Sequence, residues 1–306
     1  ILLALAYGAS IGGMATLIGS PPNGIYMRFM EQTYGQVVSI ASWMKVGVPV
    51  TLLLFIVSFF VLTGLMFRNM GGSVPGGKEW VRNELRSMGK LSTGEKAVGL
   101  CFLIAAVLWF SGAQLRGINI DGWQPFKYLT DAVIAMGMGI VPFLIPVDRK
   151  GTMAMDWKTA NEAISWDVLL LFGGGLSLAS AIQHTGVAQL IGAQVAVLAG
   201  SPFPVVLFGV VFIVTFATGV TSNTALAAMM MPLLAAVANA LGLPPQPILM
   251  GTALAASAAF ILPISTPPNA IVFGTGKIKI ADMFRAGILI NFVAIFVITG
   301  VMLLLD

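Results

Sequence analysis

The sequence predicts an all-α polytopic membrane protein of inverted-repeat architecture, with broken transmembrane helices and a re-entrant helical hairpin. Three observations predict it. Hydrophobic residues fill 58% of the 306 positions and charged residues only 9%, against about 25% charged in a soluble domain; mean hydropathy is +0.94. Several charge-free stretches exceed the ~18 apolar residues that mark a spanning helix. One short pattern also occurs twice, as Gly19-Ser20-Pro21-Pro22-Asn23 and Ser265-Thr266-Pro267-Pro268-Asn269, each time inside a long apolar run.

The first element, residues 2–27, is broken at its centre. Two adjacent prolines lack backbone donors and clash with the preceding turn, so continuous helix cannot pass through them. In a membrane, unwound backbone survives only where protein buries it or where it lines a cavity. Residues 46–67 form the next span. Residues 68–96 then carry Arg68, Lys78, Arg82, Arg86, Lys90 and Lys96 beside Gly71, Gly72, Pro75, Gly76 and Gly77. The positive-inside rule places this loop, with a short amphipathic surface helix, in the cytoplasm.

Spans follow at about 97–113, 129–147 and 168–199, with Asp148-Arg149-Lys150 and Lys158 returned to the inside. In the third, Phe172-Gly173-Gly174-Gly175 offers small residues for close helix approach. Residues 205–241 read as an outward-opening hairpin. Their middle, Thr218-Gly219-Val220-Thr221-Ser222-Asn223-Thr224, gathers turn formers, hydroxyls and an amide that belong at a tip rather than against lipid. The second broken helix occupies 249–276, Lys277, Lys279 and Arg285 lie inside, and 286–305 is the last span.

Counted from the basic clusters, the two broken helices cross in opposite senses, the signature of an inverted repeat. On this count residues 1–67 end one repeat and residues 97–306 form the other. The chain opens at Ile1 inside an apolar segment, so an earlier part is expected to precede it.

The acidic residues all fall in loops or at span ends, and the one histidine, His184, lies near the outer end of its span. Proton relays need an intramembrane carboxylate or histidine, and intramembrane proteolysis needs paired aspartates or a Ser-His couple. Neither pattern is present, so a membrane enzyme acting on lipid or peptide is disfavoured. A passive channel is disfavoured as well, because the breaks form a discrete site rather than a polar stripe. Basic residues sit in short loops beside spans, which gives nucleic-acid binding no support. Cys101 reads as a small core residue. Thr252 and Ser257 read as bonded to their own helices, and the tryptophans, Trp43 among them, as interface anchors.

Neutral oxygen remains for ion chemistry. Hydroxyls, amide oxygens and freed carbonyls suit a hard monovalent cation such as Na⁺. The tip offers Thr218, Thr221, Ser222 and Asn223, and the opposite break offers carbonyls near Ser265. The half-helices beginning after each break and after the tip point N–H groups and a partial positive charge at the same space. Ser20, Asn223, Thr224 and Thr266 add side-chain donors. A carboxylate held there by neutral donors would take its countercharge from bound Na⁺, so the two ligands would bind cooperatively. Paired broken helices in corresponding places point to the binding site of a secondary transporter.

At Ser222-Asn223-Thr224, at Thr266-Pro267-Pro268-Asn269, at Trp166-Asp167-Val168-Leu169-Leu170-Leu171-Phe172-Gly173-Gly174-Gly175-Leu176 and through Ile11–Asn23, the chain resembles the divalent anion/sodium symporter family. The resemblance covers essentially the whole chain. It implies an inverted-repeat transporter that is dimeric, sits in the bacterial plasma membrane and moves its transport domain like an elevator. Expected cargo is a C4-dicarboxylate (succinate, malate or fumarate) with Na⁺ as coupling ion; a sodium-independent anion exchanger or a citrate or sulfate carrier is the alternative on this scaffold.

The resemblance also implies roles. Ser222, Asn223 and Thr224 form the tip, with Asn223 and Thr224 on substrate carboxylate. Ser20, Pro21, Thr266 and Pro267 line the substrate pocket. Thr218, Thr221, Asn223 and Ser265 surround one Na⁺, and the Gly19 carbonyl contributes to another. The family carries two Ser-Asn-Thr triplets and this chain has one. The partner hairpin is therefore expected upstream of Ile1, and transport is expected of the full-length protein rather than of this chain alone.

Overall fold

A computed structural model describes residues 1–67, 77–121, 123–148, 151–164, 166–187, 190 and 200–305. The described residues are helical apart from turns and isolated bridges at Ile120–Trp123 and Pro146–Met153. Among the described residues four helical segments are long and apolar enough to cross a membrane: Ile40–Met66, Thr93–Gly112, Asn223–Leu241 and Ile280–Leu305. Residues 68–76 of the expected cytoplasmic loop, Arg149 and Lys150, and residues 188–189 and 191–199 of the third expected span lie outside the described residues.

The chain divides into two compact units. One unit comprises Ile1–Val38, Ser42–Arg68 and Trp166–Asp306; the other comprises Ser39–Ala41 and Asn69–Ser165. In the second unit, helix α4 (Gly77–Ser87) precedes α5 (Thr93–Arg116), α6 (Asp131–Ile140, continued by a 3₁₀ turn at Val141–Phe143) and α7 (Trp157–Ala163). Ser92 and Glu95 close a reciprocal capping box at the start of α5: the Ser92 N–H donates to Glu95 Oε2 at 2.6 Å and the Glu95 N–H to Ser92 Oγ at 3.2 Å. Helices α5 and α6 pack on each other. Arg116 ties them by donating to the Leu129 carbonyl at 2.9 Å and pairing with Asp131 at 3.6 Å. Helix within the crossing expected at 129–147 is limited to residues 131–143. At ~1.5 Å per residue such a helix reaches only about 20 Å.

In the first unit both proline pairs break their helices. Helix α1 (Leu2–Gly13) stops seven residues before α2 (Pro21–Tyr34), which starts on the first proline. Helix α3 (Ile40–Phe60) runs on into a π-helical turn, Val61–Met66. After α8 (Trp166–His184) come α9 (Phe203–Ala217) and α10 (Asn223–Leu241), joined by a tip at residues 218–222. Helix α11 (Pro245–Ser257) ends at the second break, α12 (Pro267–Gly274) starts on its proline pair, and α13 (Ile280–Leu305) closes the chain. Thirteen residues give α11 about 20 Å of length, short of a ~30 Å hydrocarbon core.

Helix α11 is the core of this unit: it is apolar on every face and buried from Pro247 through Ser257. Helices α2, α9, α10 and α13 pack around it. The two helices joined at the 218–222 tip thus both close on α11. Helix α1 packs on α12 while α2 packs on α11. The half before one break lies beside the half after the other, so the two broken helices run antiparallel with their breaks side by side.

Each break also rests on a glycine of the following helix. A Cβ on Gly47 of α3 would lie 2.7 Å from the Met14 carbonyl, and one on Gly287 of α13 would overlap the Phe260 carbonyl. One turn after each glycine stands a polar side chain, bonded to the last turn of α1 at the first break and to the unwound segment at the second. Thr51 Oγ1 donates to the Ile11 carbonyl at 3.2 Å, and Asn291 Oδ1 accepts from the Phe260 N–H at 3.3 Å while its Nδ2 reaches the Thr215 carbonyl at 3.3 Å.

Two expectations are corrected here. Trp43 is no interface anchor: it is fully buried and its indole N–H donates to the Met14 carbonyl at 2.9 Å. An indole fits that place because a freed carbonyl within an apolar core needs a donor mounted on an apolar body. Gly173 and Gly174 do not mediate close approach among the described residues, since nothing lies within 4 Å of where their Cβ atoms would stand. Helix α8 packs on α10 and α2.

Candidate functional site

The end of α11 is where the three interrupted elements meet. At the tip, Thr218 Oγ1 lies 2.7 Å from the Ala256 carbonyl and 2.7 Å from Asn223 Oδ1. At the first break, Ser20 Oγ lies 2.8 Å from Ser257 Oγ. Adjacent residues of one helix end therefore hold the hairpin tip and the first break, and the second break begins immediately beyond them.

The Thr218 cluster is oxygen-rich. One hydroxyl proton faces two acceptors at bonding distance, so one acceptor lacks a full partner unless the Asn223 amide turns its nitrogen inward. Thr218 is fully buried and Asn223 half-buried. Neutral oxygens crowded without enough protons are what a small cation requires. Among the described residues no group of three His, Cys, Asp or Glu side chains could hold a metal.

Other expected ligands are placed differently. The Thr221 hydroxyl is exposed and donates to the Ala217 carbonyl at the end of α9, 2.9 Å away. Ser265 is buried, and its hydroxyl is 2.6 Å from the Leu262 carbonyl and 3.2 Å from the Ala259 carbonyl. Both hydroxyls face their own segment, so these residues have backbone carbonyls left to offer. Gly19 is exposed and approaches Gly13 so closely that a Cβ on it would stand 2.5 Å from the Gly13 carbonyl oxygen.

For an anion, the donors are unequally distributed. Helix α10 begins at Asn223 behind Ser222, which makes no side-chain cap. The N–H groups of Asn223, Thr224 and Ala225 have no partner within the helix, and the positive end of its dipole lies there. The Ser222 side chain is exposed and Thr224 is nearly buried. Helices α2 and α12 were expected to offer N–H groups in the same way, and they do not. Prolines occupy the first two positions of both. The next N–H is used: that of Asn23 donates to the Ser20 carbonyl at 3.1 Å, and that of Asn269 to Thr266 Oγ1 at 3.3 Å. What these ends contribute is the helix dipole, the exposed rings of Pro21 and Pro267, and the hydroxyls of Ser20 and Thr266.

Several residues at the site were not singled out from the sequence. The Ala256 carbonyl carries no side-chain signal. Ser257 was read as bonded to its own helix, and does reach the Ala253 carbonyl at 3.2 Å, but it also bridges to Ser20. Asn291 was visible as an amide within the last apolar span, and a polar group there is costly enough to have signalled a role.

The chain matches, over residues 1–305, the family described as the sodium:sulfate symporter transmembrane region. It is 38% identical over 301 residues to the sodium-dependent dicarboxylate transporter SdcS of Staphylococcus saprophyticus. It is also 38% identical over 300 residues to SdcS of Staphylococcus aureus. Both matches cover 97% of this chain and 57% of the relative, so the chain spans little more than half the length of these proteins. With four helices able to cross a bilayer, it is a multi-pass membrane protein of a transport family, not of an enzyme family. The chain belongs to the divalent anion/sodium symporter family, whose transmembrane region it carries from residue 1 to residue 305.

Proposed function

We propose that the full-length protein imports C4-dicarboxylates across the plasma membrane by symport with Na⁺. The observation that carries this reading is the cluster of Thr218 Oγ1, Asn223 Oδ1 and the Ala256 carbonyl, placed beside the unpaired N–H end of α10. A cation between the oxygens would draw Asn223 and the tip onto α11, and the ordered tip would present its N–H groups, Ser222, Asn223 and Thr224 to a carboxylate. Ion and dianion would then bind together, and their mutual dependence is the coupling. The names of the relatives support the same cargo and ion.

On this reading Ser20, Pro21, Thr266 and Pro267 line the substrate side, while the carbonyls of Gly19, Thr221 and Ser265 complete the cation sites. The antiparallel broken helices would belong to inverted repeats, working as an elevator in a homodimer. Labelled succinate uptake by the full-length protein in proteoliposomes tests it. Uptake should follow an inward Na⁺ gradient, stop when K⁺ replaces Na⁺, and be lost in Asn223→Ala. Uptake that persists without Na⁺ would instead indicate exchange. Sulfate is the second candidate cargo, favoured by the description of the matching family, and should then compete with succinate.

A further inference from the structure

The two breaks share one hydrogen-bond scaffold. At the first, Asn23 Nδ2 donates to the Gly13 carbonyl at 3.0 Å, ten residues back, and to the Thr16 carbonyl at 2.9 Å, seven back. At the second, Asn269 Nδ2 donates to the Ala259 carbonyl at 3.0 Å, ten back, and to the Leu262 carbonyl at 3.2 Å, seven back. The Gly19 N–H returns to the Thr16 carbonyl at 3.2 Å and the Ser265 N–H to the Leu262 carbonyl at 3.3 Å, again in matching positions. Both asparagines are fully buried, and both leave Oδ1 without a hydrogen-bond partner.

That orphaned acceptor identifies what the side chain is there for. A buried oxygen without a partner is costly, and the same cost stands at both breaks. Bridging two carbonyls from a single nitrogen needs an NH₂ group, and a neutral side chain supplies one only as an amide. The donors are therefore the required part, and the unmet oxygen accompanies them.

We propose that Asn23 and Asn269 are paired positioning residues, each clamping its unwound segment into the shape that presents Gly19-Ser20-Pro21 and Ser265-Thr266-Pro267 to the ligands. The clamp ties each half-helix to the loop before it, so the carbonyls left untied keep a fixed direction toward the cation. This deepens the reading given above and rests on it for the ligands' identity.

The test uses the full-length protein with Asn23→Leu and Asn269→Leu, which keep the size and remove the NH₂ donors without adding charge, and Asn23→Ser and Asn269→Ser, which keep one donor. Each is measured for Na⁺ half-saturation, for dicarboxylate KM at saturating Na⁺, and for hydrogen exchange across residues 14–20 and 258–266. The Leu variants should raise Na⁺ half-saturation by about tenfold or more, equivalent to the loss of one well-placed interaction, with KM rising as well and the break amides exchanging faster. The Ser variants should lie between. A purely structural asparagine would lower the amount of active protein and leave half-saturation alone, and that outcome overturns the proposal. Should the Leu variants not fold, the Ser variants decide it alone, unchanged half-saturation and exchange being the contrary result. If the wild type shows no Na⁺-dependent uptake, the cargo reading fails by itself. Exchange at the breaks then judges the clamp: faster in the variants supports it, unchanged overturns it.

Discussion

Thr218 has one proton and two acceptors, and the account at the residue scale turns on that imbalance. Replacing it with valine keeps the shape and deletes the oxygen. Thr218→Val should raise Na⁺ half-saturation about tenfold or more, since a hydrogen bond to a charged group contributes ~1.5–3 kcal/mol and ~1.4 kcal/mol is tenfold; Thr218→Ser should change it little. Thr221→Ala gives the contrasting case, because that hydroxyl is exposed and bonded to the last carbonyl of α9, that of Ala217. Titrating uptake against Na⁺ should show Thr221→Ala close to wild type, and a loss matching that of Thr218→Val would place the Thr221 side chain at the ion. The sequence displays the hydroxyls but not where they point. It displays Trp43 as one more tryptophan in a membrane protein, and only the fold shows its indole on a freed carbonyl. Asn23 and Asn269 are legible as the last residues of a repeated pattern. Their function depends on carbonyls that become orphans only once the helix has broken.

Among the elements, the broken helices were the most legible part, because a proline pair forbids helix wherever it falls. The halves pair crosswise, α1 on α12 and α2 on α11. The loss of N–H donors at α2 and α12 follows from the same prolines, and a reading that credits every half-helix start with free donors overlooks it. The glycine supports were not legible, since Gly47 and Gly287 resemble any glycine in an apolar run. Each leaves room for a backbone carbonyl of its break. Gly287→Ala should push α13 off the second break at a cost of about 1–3 kcal/mol or more. Thermal unfolding should register this as a lower midpoint, with uptake reduced. Gly99→Ala, where nothing lies within 4 Å of the added atom, is the control and should leave both unchanged.

Over the whole molecule, apolar surface tells two stories. Leu52, Phe55, Phe59 and Phe60 on α3, and Leu100, Phe102 and Phe110 on α5, stand exposed as lipid-facing residues of a membrane protein do. Helix α11 is buried on every side and ends at the site. Composition made the membrane class legible, whereas the grouping of residues 1–38 and 42–68 with 166–306 in one compact unit was not. That grouping depends on contacts between distant segments, which hydropathy does not encode. The central claim is that neutral oxygens at the end of α11 hold the coupling ion. Density maps of the full-length protein with succinate, in Na⁺ and in K⁺, test it most directly. The account predicts an ion among Thr218 Oγ1, Asn223 Oδ1 and the Ala256 carbonyl in Na⁺ and none in K⁺. The same three oxygens closed on one another by hydrogen bonds, with no ion at saturating Na⁺ and substrate bound, would contradict it.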